Sequence, residues 1–509
     1  MNNTVLTLVI FWGIWIILPV VIDGGLAFLQ AVVVYLWGRN GKKIRKKVPY
    51  SKLPLVSVII PTYNEIENIA MCLAHLKAQT YPHEKIEIIV VDNGSQDETG
   101  KIVLAHKGTG DEIGKDPEVD GKIRINDLSY DTSGFRGSLH LITRYERGKA
   151  KALNAGIRRA KGDIIINIDC RSFLAPNAIE KMVGAFLARP QMAAATGNIE
   201  IDWDLVYEVD QNGRPKRDHD GHFRTRELNF KETFLAKCQF LEYLASMRLG
   251  RQFQDVTHSM YTLAGAFSAF RREVLVKDKH LYKDITVSED TLLTFDLSHI
   301  SRAYIGYVAS AKAYLKPVLS WERLYGQRVR WSRGEIEVTG LHLKDFMSSK
   351  YGRWRSIFLP FNLIVDHTFS FPRSIWFFIL PALILFGYHP YVILIANLLM
   401  FGFYIGLDFF IVGCCYPIVD AETRQKIKLS FYWIPILWFY RLMLFFFRMA
   451  GFLTVLRDKP EWMITNNLIG HIKRFRDGTR HRLVNGRIGK VWQLGKRIVG
   501  TIPEIESKK

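Results

Sequence analysis

Cysteine is scarce, with five in 509 residues: Cys72, Cys170, Cys238, Cys414 and Cys415. None of their spacings suits a zinc site, and an odd count argues against a disulfide framework. They read as small apolar side chains bound for the interior. Internal repeats and low-complexity tracts are also missing, which excludes solenoid architectures. No basic stretch precedes the first apolar run, and no small-residue cleavage site follows it. That run therefore reads as an anchor rather than a removed signal peptide. No recognisable nucleic-acid motif accompanies the positive charge, so the charge needs another partner.

The net charge is +20, and apolar residues make up 48% of the chain. Both are unevenly spread. Residues 1–40 and about 356–456 are strongly apolar, while the middle has the composition of a soluble domain. One basic cluster (Lys42, Lys43, Arg45, Lys46, Lys47) follows the first apolar run. Another fills the tail with Lys473, Arg474, Arg476, Arg480, Arg482, Arg487, Lys490, Lys496 and Arg497. Both flank apolar segments, as expected for cytosolic ends facing anionic headgroups. A lipid bilayer, not nucleic acid, is the expected partner.

Residues 4–37 as one helix would reach roughly 51 Å at ~1.5 Å per residue, beyond a ~30 Å hydrocarbon core. They make one long span with the N-terminus outside, the preferred reading, or two short ones broken near Asp23, Gly24 and Gly25. Towards the other end, apolar runs cover about 356–372, 373–388, 391–417 and 431–456. The first contains Asp366 and His367 and can lie in the interface. With the tail and the middle domain both cytosolic, an even number of crossings separates them. Four crossings satisfy this, as do two plus interfacial helices. The chain thus divides into an anchor (1–40), a cytosolic domain (53–335), interfacial and transmembrane helices (336–456) and a basic tail (457–509).

From Leu53 the pattern alternates. LPLVSVIIPTYNE, EKIEIIVVDNGSQDET and GDIIINIDCRSFLAPNAI are β-branched runs ending in polar loops, with helix-like stretches between them. This predicts an α/β domain, a doubly wound, mostly parallel sheet. Ligands of such sheets sit beyond the carboxyl ends of the strands, where Asp92 and Asp169 fall. Two long polar stretches, about 107–138 and 203–228, read as loops: mobile lids or surface insertions.

Each candidate residue has a plain alternative. Asp92 beside Asn-Gly-Ser is also an Asx turn. GKAKALNAG, with Lys149 and Lys151, is also a basic helix face. SEDTLL, with Ser288, Glu289 and Asp290, is also a capped helix start. Their order along the chain carries the functional reading. PTYNE (61–65), VVDNGS (90–95), GKAKALNAG (148–156), IDCRS (168–172), FLEYLASMRLGR (240–251), AGAFSAFRR (264–272), SEDTLL (288–293) and QRVRW (327–331) stand in register. With these motifs the chain resembles the membrane-integrated processive family 2 glycosyltransferases. These include the bacterial cellulose, hyaluronan, chitin-oligosaccharide and poly-N-acetylglucosamine synthases. The resemblance runs from about residue 53 to 465.

That resemblance implies a GT-A domain and inverting transfer from a nucleotide-sugar, a UDP-sugar, to a growing glycan at the plasma membrane. It implies donor contacts from Thr62, Tyr63, Glu65, Asp92, Lys149, Asp169, Gln327 and Arg330, and a general base at Asp290. It places Gly265, Ala266, Phe267, Glu289 and Trp331 at the acceptor. It implies a divalent cation, Mg2+ or Mn2+, held partly by Asp169, and possible accessory polysaccharide-assembly proteins as partners. The chemistry suits these residue types. A carboxylate can take the acceptor hydroxyl's proton, and cations must stabilise the leaving diphosphate. A tryptophan can offer its face to a sugar, although QRVRWSRG also reads as an interfacial helix.

One position departs from the family pattern. Arg171 stands where the second carboxylate of a D-x-D element is expected, and a guanidinium cannot ligate a metal. Three outcomes stay open: metal held by Asp169 and another group, Arg171 acting in place of the metal, or loss of turnover. Three further functions compete with polysaccharide synthesis. One is non-processive transfer to a lipid-linked acceptor, another a silent scaffold of an assembly complex, and the last in rank a transporter, which would leave the Asp92, Asp169 and Asp290 loops without a purpose.

Overall fold

A computed structural model describes residues 23–40, 50–105, 108–115, 122–129, 136–145, 147–219, 222–277, 281–300, 304–342, 357–358 and 381–457. Both basic clusters, most of the first apolar run, nearly all of the expected apolar run at 356–372 and half of that at 373–388 lie outside these residues.

The strands, in chain order, are β1 (Val56–Thr62), β2 (Ile86–Asp92), β3 (Gly108–Lys115), β4 (Lys122–Ser129), β5 (Ser138–Thr143), β6 (Ile164–Ile168), β7 (Ser172–Leu174), β8 (Met192–Ile201), β9 (Phe267–Arg271) and β10 (Tyr304–Leu315). They form one sheet in the order β3-β4-β5-β2-β1-β6-β9-β8-β10-β7. Pairing is parallel at its centre, from β5 through β2 and β1 to β6, and again between β8 and β10. Strand β9 runs antiparallel between β6 and β8. The doubly wound sheet read from the sequence is therefore a mixed one.

The helices used below are α1 (Gly25–Asn40), α2 (Ile69–Lys77), α3 (Lys149–Arg159), α4 (Phe230–Ala245), α5 (Glu289–Ile300), α6 (Trp321–Leu341), α7 (Pro390–Cys415), α8 (Ala421–Leu429) and α9 (Leu437–Arg457). The isoleucine- and valine-rich β1 and β2 are buried on both faces, β2 at every residue, as expected for parallel strands covered by helices. Helix α3 packs on β1 and β2, and α2 on β7. Each fully buried Ile or Val contributes roughly 1.5–3 kcal/mol, so apolar burial is the main contribution holding this centre together.

Residues 107–138, expected as a loop, contain instead the β3–β4 hairpin, joined antiparallel to β5 at the sheet edge. KIRIN, in β4, has the alternating sequence of a strand with one apolar face, which the Gly/Asp content around it obscured. The second stretch, 203–228, folds on itself through the bridges Tyr207–Thr225, Val209–Pro215 and Arg217–Phe223.

Among the described residues, two helical segments, Pro390–Ile418 and Phe431–Val455, are long and apolar enough to cross a membrane. Between them, α8 docks on the sheet domain through ion pairs. Arg248 contacts Glu200 at 2.8 Å and Asp420 at 3.0 Å; Lys312 contacts Asp420 at 2.9 Å; Lys426 contacts Asp202 at 2.8 Å. Helix α9 runs alongside α6. Trp321 meets Phe439 and Tyr440, Tyr325 meets Phe447, and Ser332 donates to the Arg448 carbonyl at 3.3 Å. Asp408 of α7 is bonded to Arg441 of α9. One apolar core runs from Val56 to Phe447 without a break at α6.

Candidate active site

The parallel register brings the expected residues to one edge. Thr62 lies opposite Asp92 at the ends of β1 and β2, and Asp169 follows the end of neighbouring β6. Strand β9 starts at this edge because Phe267 pairs with Ile168. Gly265 and Ala266, just before β9, consequently reach the same place.

Lys149, at the start of α3, sits at the centre. Its Nζ lies 2.9 Å from Asp169 Oδ1 and 3.2 Å from Glu289 Oε1. The Asp290 carboxylate is beside it. Its Oδ2 accepts from the Gly265 N–H at 3.1 Å, and its Oδ1 from the Thr291 N–H at 2.8 Å. A Cβ on Gly265 would lie 3.1 Å from Asp290 Oδ2 and 3.2 Å from Lys149 Nζ. A side chain there would press on both groups, so the bare backbone eases this approach. Burial pushes the Asp290 carboxyl above its ordinary range, with the charge of Glu289 adding to the shift and Lys149 opposing it. Burial alone would depress the Lys149 ammonium, but Asp169, Glu289 and Asp290 outweigh it and hold the lysine well above its usual value. It stays cationic.

A second group of contacts shapes the loops after β1 and β2. Asp92, buried, accepts from the Ser95 N–H at 2.9 Å. The Asn64 N–H donates to Ser95 Oγ at 3.0 Å, the Glu65 N–H to Thr99 Oγ1 at 2.9 Å, and the Gln96 N–H to Asn64 Oδ1 at 2.8 Å. The two loops are thereby locked into one cradle. Tyr63 stands under the Arg147 guanidinium at 5.0 Å. The Asx turn at Asp92 is real, and it leaves the residue at the strand end among the other candidates.

Arg171 turns to Glu65: its Nε and a terminal nitrogen each lie 2.9 Å from Glu65 Oε1, and its side chain is 62% exposed. The Glu65 charge, against a smaller effect of burial, raises the guanidinium further above its usual value. Thr62 is buried, and Phe267 is fully buried against Gly197, so Phe267 positions the Gly265–Ala266 turn from beneath. Gln327, Arg330 and Trp331 are half-buried on α6, with Trp331 against Tyr243 at 6.4 Å and under the Arg328 guanidinium at 4.4 Å.

Several residues at this edge were not legible as site residues. Tyr282 bridges α3 and β6, exchanging backbone bonds with the Asn154 side chain at 2.8 and 2.9 Å and accepting from Asn167 at 2.6 Å. Glu337 accepts from the Val287 N–H at 3.3 Å and is held by Arg333 at 2.7 Å. Gly334 abuts Ser288, where a Cβ would come within 2.3 Å of the serine Cβ. Helix α6 thus clamps the segment that carries Glu289 and Asp290. Lys316, after β10, lies 5.9 Å from the Phe173 ring centre and 5.6 Å from that of Tyr207. Burial lowers it to about 8, with Glu67 and Glu65 pulling the other way. No signal short of the β8–β10 pairing places Lys316 here.

Among the described residues no group of three His, Cys, Asp or Glu could hold a divalent cation. Asp169 is engaged by Lys149, and Arg171 puts a second positive charge two residues away. Hard cations want several anionic or neutral oxygen ligands, and this set does not fit one.

A mixed α/β sheet with acidic side chains gathered around a lysine at its carboxyl edge is the arrangement expected of a GT-A glycosyltransferase. Residues 57–119 and 129–277 match the model for glycosyl transferase family 2, so the chain carries a family 2 glycosyltransferase domain. It is 25% identical over 337 residues to the poly-beta-1,6-N-acetyl-D-glucosamine synthase of Staphylococcus epidermidis, covering 64% of this chain and 67% of that one. With the corresponding synthase of Staphylococcus aureus (strain COL) it shares 26% over 312 residues, 61% of each chain. The chain thus spans about two thirds or less of the length of these curated relatives. A mannosyltransferase from Pyrobaculum calidifontis, solved with GDP-Man and Mn2+, shares the fold. Its TM-score is 0.54 at 18% identity, covering 88% of this chain and 99% of that one.

Proposed function

We propose that this chain transfers a sugar from a UDP-sugar, with inversion, to a hydroxyl of a growing glycan at the plasma membrane. The observation that carries this is the Asp290 carboxylate, aimed by two backbone N–H groups and set beside the Lys149 clamp. The acceptor hydroxyl's proton passes to Asp290 as its oxygen bonds to the anomeric carbon. The bond to the donor's diphosphate breaks, and that group departs with the electron pair. One displacement inverts the centre. A raised carboxyl affinity for protons suits a general base, and Lys149 stays charged close to the reacting atoms. Thr62, Tyr63, Glu65, Asp92, Lys149, Asp169, Arg171, Gln327 and Arg330 face the donor, and Gly265, Ala266, Glu289 and Trp331 the acceptor. Phe267 supports them from the core.

Residues 53–335 hold the chemistry, 336–456 the interfacial and membrane helices, and 1–40 and 457–509 an anchor and a basic tail at the cytosolic surface. The docking of α8 supports placing the Asp420–Ser430 segment on the catalytic side. In this reading the chain is multi-pass, with an even number of crossings between the catalytic domain and the tail. The acceptor is a glycan, lipid-linked at the start of synthesis, and accessory assembly proteins receive the product. A divalent ion, Mg2+ or Mn2+, could enter this reading only by drawing Asp169 away from Lys149.

The test is a screen of UDP-sugars with the purified full chain in detergent, measuring UDP release and product length. Turnover of one donor into a product of several sugars is expected. A product with a single added sugar would instead favour transfer to a lipid-linked acceptor. No release from any nucleotide-sugar would leave the scaffold.

A further inference from the structure

The leaving diphosphate carries charge that something at this edge must neutralise, and the cations the chain brings there include Lys149, Arg171 and Lys316. Lys149 lies between Asp169 and Glu289. Arg171 is paired with Glu65 yet 62% exposed, so its guanidinium fork is open to a ligand. Lys316 makes no ion pair within 4 Å among the described residues, and its charged neighbours are Glu67, Glu65 and Arg171. Arg171 follows the same strand end as Asp169, with one residue between them.

Two arrangements could neutralise the donor: a divalent ion in a carboxylate cage, or fixed side-chain cations. The first finds only Asp169, already bridged to an ammonium and flanked by a guanidinium that repels a metal. The second needs only that Arg171 exchange one anionic partner for another. A guanidinium binds a carboxylate and a phosphate with the same two-pronged geometry, so the Glu65 pair marks a phosphate-competent fork held ready.

Resting on the glycosyltransferase reading above, we infer that this chain binds its donor's diphosphate through Arg171, backed by Lys316 and Lys149, in place of a resident divalent cation. Glu65 then acts as a positioning residue that parks Arg171 when the donor is absent. The arrangement sets the donor class as a nucleoside diphosphate sugar, because a monophosphate would meet fewer of the three cations.

The experiment is calorimetric titration of UDP and UMP into the full chain in detergent, in EDTA and again in Mn2+. UDP is expected to bind equally within twofold in both, and more tightly than UMP. Arg171→Gln is expected to weaken UDP about tenfold or more, as loss of a charge-assisted pair does, with no rescue by Mn2+. Lys316→Met should weaken it severalfold. Arg171→Asp should bind UDP poorly in EDTA and recover in Mn2+, because it restores the missing carboxylate. Wild-type binding that is lost in EDTA and restored by Mn2+ overturns the inference while leaving the glycosyltransferase reading intact. So does an Arg171→Gln chain with unchanged affinity. Absence of UDP binding under both conditions overturns both. The wild-type comparison needs no variant to fold, and Arg171 is exposed enough that its replacement should leave thermal unfolding unchanged.

Discussion

At the residue scale, Asp290 makes the sharpest demand. Its carboxyl is raised by burial and by Glu289, so it must lose its proton at a higher pH than an ordinary aspartate before it can act as a base. The acid limb of the kcat profile is therefore expected above the usual carboxylate range, measured by UDP release between pH 4 and 8. A limb at the ordinary aspartate value would count against the assignment. The same shift bears on stability. A carboxyl whose folded affinity for protons is raised stabilises the fold below its unfolded pKa and loses that contribution as pH rises through the folded value. Asp290→Asn should hence lower kcat by about 10²–10⁴ while keeping UDP affinity, and at neutral pH it should melt no lower than the parent. Asp92, Asp169 and Asp290 were legible in the sequence as candidates because strand ends and helix starts are local features. Lys316, Tyr282 and Glu337 were not, because distant pairings bring them to the site. Phe267 was read as an acceptor neighbour because its motif adjoins the site; strand alternation sends its side chain into the core.

Elements transmit position to these residues, and α6 does so by contact at a glycine. Gly334 lets the helix touch Ser288, one residue before Glu289. Gly334→Val would drive its side chain into Ser288 Cβ and displace the segment that aims Asp290. Overpacking of this kind costs about 1–3 kcal/mol. A fall in kcat of tenfold or more with UDP affinity within twofold is expected, and an unchanged kcat would show that α6 does not set the base. Helix α8 carries a topological consequence of its own. Its ion pairs hold Asp420, Glu422 and Lys426 against the catalytic domain, so α7 ends on the catalytic side. If α7 crosses the bilayer, its start lies on the opposite face. In cells whose chain carries Cys414→Ser, Phe386→Cys should react with an impermeant maleimide added outside. Gln425→Cys should react only after permeabilisation; labelling of Gln425→Cys in intact cells would refute the orientation. The apolar runs predicted both helices, but runs alone say nothing about which face a connecting segment meets. That required Glu200, Arg248 and Lys312, placed far back in the chain.

On the scale of the whole molecule, composition divides the chain into a soluble middle and an apolar remainder, whereas packing joins them. Trp321, Tyr325 and Val329 of α6 are covered by Phe439, Tyr440, Leu444 and Phe447 of α9 or lie in the same core cluster. Beneath that seam, Arg328 donates to Glu242 at 2.7 Å, and the Tyr440 hydroxyl donates to the same carboxylate oxygen at 2.7 Å. Removing α9 would therefore uncover an aromatic stripe and take one donor from a carboxylate that is largely enclosed. Contiguous exposed apolar patches of this kind drive association, and a buried polar group that loses its partner costs about 1–3 kcal/mol. A chain spanning 50–342 alone is expected to aggregate without detergent and to unfold at lower temperature than the full chain, read by size-exclusion chromatography and thermal scanning in the same detergent. The double change Trp321→Ser with Tyr325→Ser, made in that fragment, should restore solubility if the α6 stripe is the cause. A fragment that stays monomeric in plain buffer and binds UDP as tightly as the full chain would show that the seam is dispensable, and that catalysis and membrane attachment are separable after all.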